Sequence, residues 1–315
     1  MSSDHSLAAS IGGVCAAAVT PLDRFDAPDP VATVAHCRRL FALGCDAINL
    51  LGTTGEAMSF SCAQRMTIME AVAASELPLA GCIVGTGASA LADAVVLTRA
   101  AADLGFAGAL VMPPFYFKNM TDDGLLRFFS RLIELVDRAA LRVYLYHFPY
   151  LSGISFSPAL VARLYERFGE TIAGLKDSSG VPGYAESIVA VAPIAVFPSA
   201  ETALDAGRAR GFAGCISATV NVSAPLAAAV WHGAQRDPVA AARDQTELTA
   251  IRTAIAAYPL VPAIRGVLAS MLNDATWRRM VPPLHALPIE DETALAERLQ
   301  SLPAFAALRE AVACA

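Results

Sequence analysis

Eight short apolar runs recur along the chain, starting at Val14 (VCAAAVT), Ala47 (AINLLG), Ala80 (AGCIVGTG), Gly108 (GALVMPP), Arg142 (RVYLYHF), Ile172 (IAGLKDSS), Ile194 (IAVFPSA) and Ala213 (AGCISATVN). They are apolar throughout and do not alternate strictly, as a parallel sheet covered on both faces requires. Between them the pattern shifts to a helical period with readable ends. Asp29 followed by Pro30 predicts a helix start whose buried stripe is Val31, Val34, Leu40 and Phe41, ending before Gly44. Ser61 with Gln64 predicts a capping box. Ser157 and Pro158 open another helix, with Val161, Leu164, Tyr165 and Phe168 facing inward up to Gly169. Eight strand–helix units predict an α/β fold, a closed (β/α)8 TIM barrel, with an open doubly wound sheet as its rival. From Ala241 onward the pattern is helical only, through DQTELTAIRTAIAAY and ETALAERLQ. The expected organisation is a barrel over residues 1–240 and a C-terminal helical extension packed on it over 241–315.

Composition adds exclusions. With 315 residues, 55% of them hydrophobic, the chain can bury a large core. Its net charge of −6 makes nucleic acid and anionic membrane poor partners. No apolar run reaches the roughly 18 residues of a membrane span. The N-terminal LAASIGGVCAAAV follows Asp4 and His5 without lysine or arginine and carries a glycine pair, so it reads as a lead-in to the first strand and not as a signal peptide. Seven cysteines stand singly (Cys15, Cys37, Cys45, Cys62, Cys82, Cys215 and Cys314), without metal-ligand spacing. Most of them read as small buried residues of a cytoplasmic protein, and no metal site is expected.

A barrel of this kind carries its active site at the C-terminal ends of the strands. After the second strand, GTTGE at residues 52–56 is a tight turn. It can serve as a plain strand-to-helix connection, or present backbone N–H groups and the Thr53 and Thr54 hydroxyls to a carboxylate or phosphate. GTGASA at residues 85–90 mimics a dinucleotide fingerprint, but LVMPP stands where the next strand should end in an acid, so Gly85 and Gly87 read as barrel turn glycines. Tyr144, Tyr146 and Phe148 alternate onto the face expected to line the barrel, and a tyrosine at its mouth needs a polar partner. His147 falls on the opposite face, toward a helix. Of the 23 lysines and arginines only Lys118 and Lys176 are lysine, and Lys176 sits in GLKDSSG near the end of an apolar strand. A lysine is ordinarily a surface residue. An amine desolvated at a strand end is instead held toward its neutral form, which attacks carbonyls. Arginine stays protonated and cannot form an imine.

GTTGE, PPFYF, LYHFP, GLKDSSG and GCISATVN, in this order and spacing, resemble the pyruvate-dependent class I aldolase family of dihydrodipicolinate synthase and N-acetylneuraminate lyase. The resemblance runs from about Val14 to Pro288. It implies that Lys176 is the Schiff-base lysine for a 2-oxo acid and Tyr146 the proton shuttle. Thr53 would link Tyr146 to Tyr116, a second tyrosine that reaches in from a neighbouring subunit. Gly52 begins the turn in which the N–H groups of Thr53 and Thr54 would hold the pyruvate carboxylate. The Ile216 carbonyl would line the pyruvyl pocket. Ser178 and Ser217 match hydroxyl positions of the lyases' sugar pocket. Two departures bear on substrate. Leu151 stands where the synthases carry an arginine for the aldehyde partner's carboxylate, and PSAET, with the lone acid Glu201, replaces the lyases' acidic GYDE.

The residues and the resemblance together predict a lyase that cleaves or forms a 2-oxo acid through a lysine imine. Pyruvate is the common fragment, and the far end of the substrate is uncharged or hydroxylated, as in a 2-keto-3-deoxy sugar acid. The lysine imine itself replaces any cofactor, and a homo-oligomer (dimer or tetramer) is implied by the shared tyrosine. The alternatives are a dehydratase or deaminase working through the same imine, and a 4-hydroxy-tetrahydrodipicolinate synthase, which Leu151 argues against. An oxidoreductase built on GTGASA and a catalytically silent binding protein on the same barrel are the readings outside this chemistry.

Overall fold

The computed structural model describes residues 11–315, so the N-terminal reading around Asp4 and His5 lies outside the described residues. Eight parallel strands form one sheet: β1 (Gly13–Ala17), β2 (Ala47–Leu50), β3 (Cys82–Gly85), β4 (Gly108–Val111), β5 (Val143–His147), β6 (Ile172–Asp177), β7 (Ala195–Pro198) and β8 (Gly214–Ser217). Their order is β7-β6-β5-β4-β3-β2-β1-β8. The sheet curls round until the Ala213 N–H, just before β8, donates to Val196 O of β7 at 3.0 Å. The predicted (β/α)8 barrel is thus the observed architecture, and the open sheet is not.

Six of the seven connections between strands carry helices, α1 (Pro30–Ala42), α2 (Cys62–Ala73), α3 (Leu91–Asp103), α4 (Asp122–Val136), the single turn α5 (Pro149–Ser152) with α6 (Pro158–Phe168), and α7 (Tyr184–Val191), and α8 (Val220–Gly233) follows β8. The link between β7 and β8 differs from expectation. It is a chain of turns, in which Gly207 N bonds to Leu204 O at 3.1 Å and Gly211 N to Arg208 O at 3.0 Å. Gly211 closes it with φ of 80°, a left-handed conformation that suits glycine. Helices α9 (Pro238–Ala256), α10 (Leu260–Met271), α11 (Ile289–Gln300) and α12 (Phe305–Cys314) follow. Among the described residues no single helix is long and apolar enough to cross a membrane; α9 and α10 pass that test only as a pair bent by 112°.

The predicted caps form. Asp29 accepts from Ala32 N at the start of α1, Ser61 and Gln64 make a reciprocal capping box on α2, and Ser157 accepts from Leu160 N on α6. The buried face of α1 is a correction. Val31 is 81% exposed, whereas Thr33, His36, Cys37 and Leu40 are buried. The inward residues follow the helical spacing and not residue type, because His36 Nε2 finds Asn221 Oδ1 at 2.9 Å inside the core. Asn221 in turn donates to Ala17 O at 2.8 Å and accepts from Val19 N at 3.1 Å, pinning the end of β1 to the start of α8. Since the Asn221 amide nitrogen is donating, His36 supplies the proton of their shared bond. Burial pushes the His36 pKa down to about 4.

Inside the barrel the side chains form their own cluster, including Cys15, Ala17, Ala47, Ile83, Leu110, Tyr144, Tyr146, Phe197 and Ile216. Tyr144 fills its lower part. A Cβ on Gly174, its register partner on β6, would meet the Tyr144 ring at 2.6 Å, and one on Gly108 would meet it at 2.7 Å. Glycine at both positions makes room for one large ring, whose hydroxyl accepts from Ile11 N at 3.2 Å. With the floor filled, reactive groups are left to the upper layer.

Candidate active site

That upper layer holds Lys176 and Tyr146. They are register partners on β6 and β5, both pointing inward, and Lys176 is 4% exposed. Lys176 Nζ lies 4.6 Å from the centroid of the Tyr146 ring. Among the described residues no carboxylate forms an ion pair with it. A buried lysine packed on a ring and outside any salt bridge can serve as a nucleophile toward a carbonyl carbon.

The Tyr146 hydroxyl bonds to Thr53 Oγ1 at 3.2 Å. Thr53 belongs to the GTTG turn, which two strained residues bracket: Leu51 at φ 50° and Glu56 at φ 54°. Among the described residues the N–H groups of Thr53 and Thr54 donate to no protein acceptor, and Thr54 is buried. Two free amides on a tight turn beside a buried lysine make a cradle for a carboxylate. Gly52 and Thr53 line a narrow cavity of about 20 Å³ with Met58, Met112, Leu110 and Tyr146. That volume suits one water.

Two arginines that the sequence did not single out hold this turn and the next. Arg65 of α2 is buried and donates to Gly85 O at 2.7 Å and Gly87 O at 3.2 Å. Gly85 and Gly87 are glycine for close approach: a Cβ on Gly85 would lie 2.1 Å from Leu51 O, and one on Gly87 2.6 Å from Met112 N. Packing against the neighbouring strand ends accounts for both glycines without a dinucleotide. Glu56, the last residue of GTTGE, forms an ion pair with Arg265 of α10, and both side chains are fully buried. Arg265 also donates to Thr20 O at 2.6 Å, and Glu56 accepts from Val281 N at 3.0 Å. The C-terminal helices thereby grip the turn that would bind substrate.

The other predicted residues are placed as follows. Ile216 is interior on β8. Ser178 follows β6, its N–H bonded to His147 O at 2.8 Å, while Asp177 turns away from the barrel and accepts from Ser179 N at 2.9 Å. His147 faces outward as expected: its ring stacks on Tyr184 of α7 at 4.0 Å, and Nδ1 accepts from Phe156 N at 3.1 Å. Burial lowers its pKa to about 4. Leu151 is in α5, 45% exposed. Tyr116 is 75% exposed on the loop after β4, packed on Phe117, and the single chain does not bring it to Thr53. Lys118, the other lysine, is a loop tie, donating to Phe115 O and to Ser152 O at 3.0 Å.

Glu201 and Ser217 sit elsewhere than the expected sugar pocket. Ser217 lies beside interior Ile216 on β8, so its side chain faces the surrounding helices. There the Glu201 carboxylate is committed to the Ser217 and Thr219 hydroxyls and to Arg252 of α9 at 3.2 Å. Arg252 also reaches Ser217 Oγ at 3.0 Å and Thr219 Oγ1 at 2.9 Å. The four side chains satisfy one another, with three donors on the Glu201 carboxylate, which makes this cluster a latch between barrel and extension and commits Glu201 to protein partners.

Residues 10–302 match the Dihydrodipicolinate synthetase family. The chain belongs to this family, and it is a lyase of that family. It is 33% identical over 293 residues to an uncharacterized DapA-like lyase of Chloroflexus aurantiacus, covering 91% of this chain and 94% of the relative. Among solved structures, dihydrodipicolinate synthase from Agrobacterium tumefaciens superposes with a TM-score of 0.84 at 27% identity, covering 92% of this chain and 99% of the other. The chloride-inhibited synthase from Acinetobacter baumannii, solved with pyruvate, gives 0.81 at 26% identity, covering 92% and 98%.

Proposed function

We propose that this family member is a class I aldolase or lyase that forms an imine between Lys176 and a 2-oxo acid, with pyruvate as the product or co-substrate. The observation that carries this reading is the buried Lys176 packed over Tyr146, whose hydroxyl is tied to Thr53 at 3.2 Å. The Lys176 amine attacks C2 of the 2-oxo acid, and the carbinolamine loses water to give an iminium. Tyr146 takes the proton from the C4 hydroxyl, the C3–C4 bond breaks, and its electron pair moves into the iminium. An aldehyde leaves. The resulting enamine is protonated at C3 and hydrolysed, releasing pyruvate and the free lysine. The imine is the electron sink, so the reaction calls for no metal or cofactor.

Leu151 at the mouth and the engaged carboxylate of Glu201 leave neither a cation nor a free acid for the far end of the substrate. This favours an uncharged, hydroxylated chain, such as a 2-keto-3-deoxy sugar acid, over the aldehyde of a 4-hydroxy-tetrahydrodipicolinate synthase. A dehydratase or deaminase would use the same imine and differ only in the leaving group. The exposed Tyr116, Phe117 and Tyr150 (75%, 69% and 87%) support a homo-oligomer in which the neighbour's Tyr116 completes the Thr53–Tyr146 relay. Free cysteines throughout suit a cytoplasmic setting.

The test is a panel of 4-hydroxy-2-oxo acids with coupled detection of pyruvate, run beside Lys176→Arg. Pyruvate release by the parent and none by the variant is the expected result. Release that persists in Lys176→Arg would overturn the reading.

A further inference from the structure

Asn49 is a polar side chain inside the barrel for which the imine chemistry has no use. Its backbone is in register with Ala17 on β1 and Ile83 on β3, and Ala17, Ile83 and Ala47 all belong to the interior cluster. By alternation along β2, the Asn49 side chain points into the barrel. It is fully buried, at 0% exposure. Neither Oδ1 nor Nδ2 meets a hydrogen-bond partner among the described residues. The neighbouring core amide behaves differently, since Asn221 uses both its oxygen and its nitrogen. A buried, unpaired amide is costly, and an apolar side chain would fill this position without that cost.

The direction of the amide points to what it does. Leu51, at φ 50°, breaks the strand and turns Gly52 back over Asn49. A Cβ on Gly52 would lie 2.6 Å from Asn49 Nδ2. The amide therefore rests against the first residue of the GTT turn, on its barrel side, while the unpaired N–H groups of Thr53 and Thr54 belong to that same turn. Three unpaired polar groups thus belong to the end of β2 and the turn that follows it, and two of them are backbone donors.

We propose that Asn49 is the third arm of the anion cradle, its amide NH2 donating to the carboxylate of the bound 2-oxo acid from the barrel side. The inference rests on the imine reading above. A carboxylate only accepts, so it selects the orientation in which the nitrogen faces it. The contact fixes the acid end of the substrate and thereby the position of C2 relative to Lys176. It also makes the site selective for free 2-oxo acids over neutral ketones.

The test is borohydride trapping of the Lys176 adduct as a function of pyruvate and of methyl pyruvate concentration. The parent is compared with Asn49→Leu, which keeps the size of the side chain, and with the smaller Asn49→Ala in case the first does not fold. Loss of a hydrogen bond to a charged group raises the half-saturating pyruvate concentration by on the order of 10-fold. The preference for pyruvate over its neutral ester should shrink by the same factor. Circular dichroism reports that the barrel is intact, and the thermal midpoint of Asn49→Leu should not fall, because an orphaned amide has been removed. Trapping with the parent's concentration dependence and ester preference would overturn the proposal and leave Asn49 as the ligand of a buried water. A parent enzyme that gives no adduct at all would overturn the imine reading itself, and this inference with it, which is a distinguishable outcome.

Discussion

Lys176 and Tyr146 are cross-strand partners at the mouth of the barrel, with Lys176 Nζ 4.6 Å from the ring centroid. The ring that shields the lysine thus carries the hydroxyl assigned to the proton transfer, and the two functions separate in a variant. Tyr146→Phe keeps the ring over Lys176 and removes the hydroxyl. Turnover should fall by about 10²–10⁴-fold, the usual worth of a general acid or base, while trapping of pyruvate on Lys176 persists. Stopped-flow pyruvate release and adduct mass measure the two effects separately.

Thr53→Val removes the bond to Tyr146 but leaves the backbone cradle of the turn. Its turnover should drop less than that of Tyr146→Phe, with a nearly unchanged pyruvate dependence of trapping. Steady-state kinetics on both variants decide this, and equal losses would show that Thr53 does more than orient the tyrosine.

The buried pair of Glu56 and Arg265 ties the GTTGE turn to α10. Glu56→Ala leaves a buried guanidinium without its partner and should cost about 3–5 kcal/mol of stability in urea unfolding. Removing both charges, as Glu56→Met with Arg265→Leu, should recover much of that loss, although the backbone bonds to Thr20 and Val281 go with them.

His36 and His147 both have folded-state pKa values lowered by burial to about 4. The unfolded chain, with histidines near 6.5, binds more protons than the folded one between about pH 4 and 6.5, so stability is complete above that window and declines as pH falls through it. Urea midpoints should drop from pH 7 to pH 4.5. His147→Asn retains an acceptor for Phe156 N and should flatten the slope by about one proton.

Tyr116, 75% exposed in the single chain, is assigned a role only across a subunit boundary. Tyr116→Phe should lower turnover without changing the sedimentation coefficient. Tyr116→Ala with Phe117→Ala, which removes apolar surface, should shift the oligomer toward monomer. Unchanged activity in Tyr116→Phe would remove it from the relay.

Much of this site could be read in the linear chain because its parts are local. The apolar runs announce the strands, and their ends place Lys176, Tyr146 and the GTT turn at one rim. What could not be read depends on contacts between distant segments. His36 is in the core because of Asn221, 185 residues on, and so residue type alone points the inward face of α1 toward Val31. Glu201 looks like a free acid until Arg252 arrives from α9. Gly85 and Gly87 suggest turns, while their cause is the closeness of Leu51 and Met112. Asn49 is visible only as a polar residue at an interior position of β2, and its missing partners appear once the barrel closes.

The central claim is that Lys176 forms the imine. The most direct measurement is borohydride reduction in the presence of pyruvate, followed by peptide mass analysis. The account predicts one reduced pyruvate per chain, located on the peptide that contains Lys176 and absent from Lys176→Arg. An adduct on Lys118, or no adduct in the parent enzyme, would contradict it.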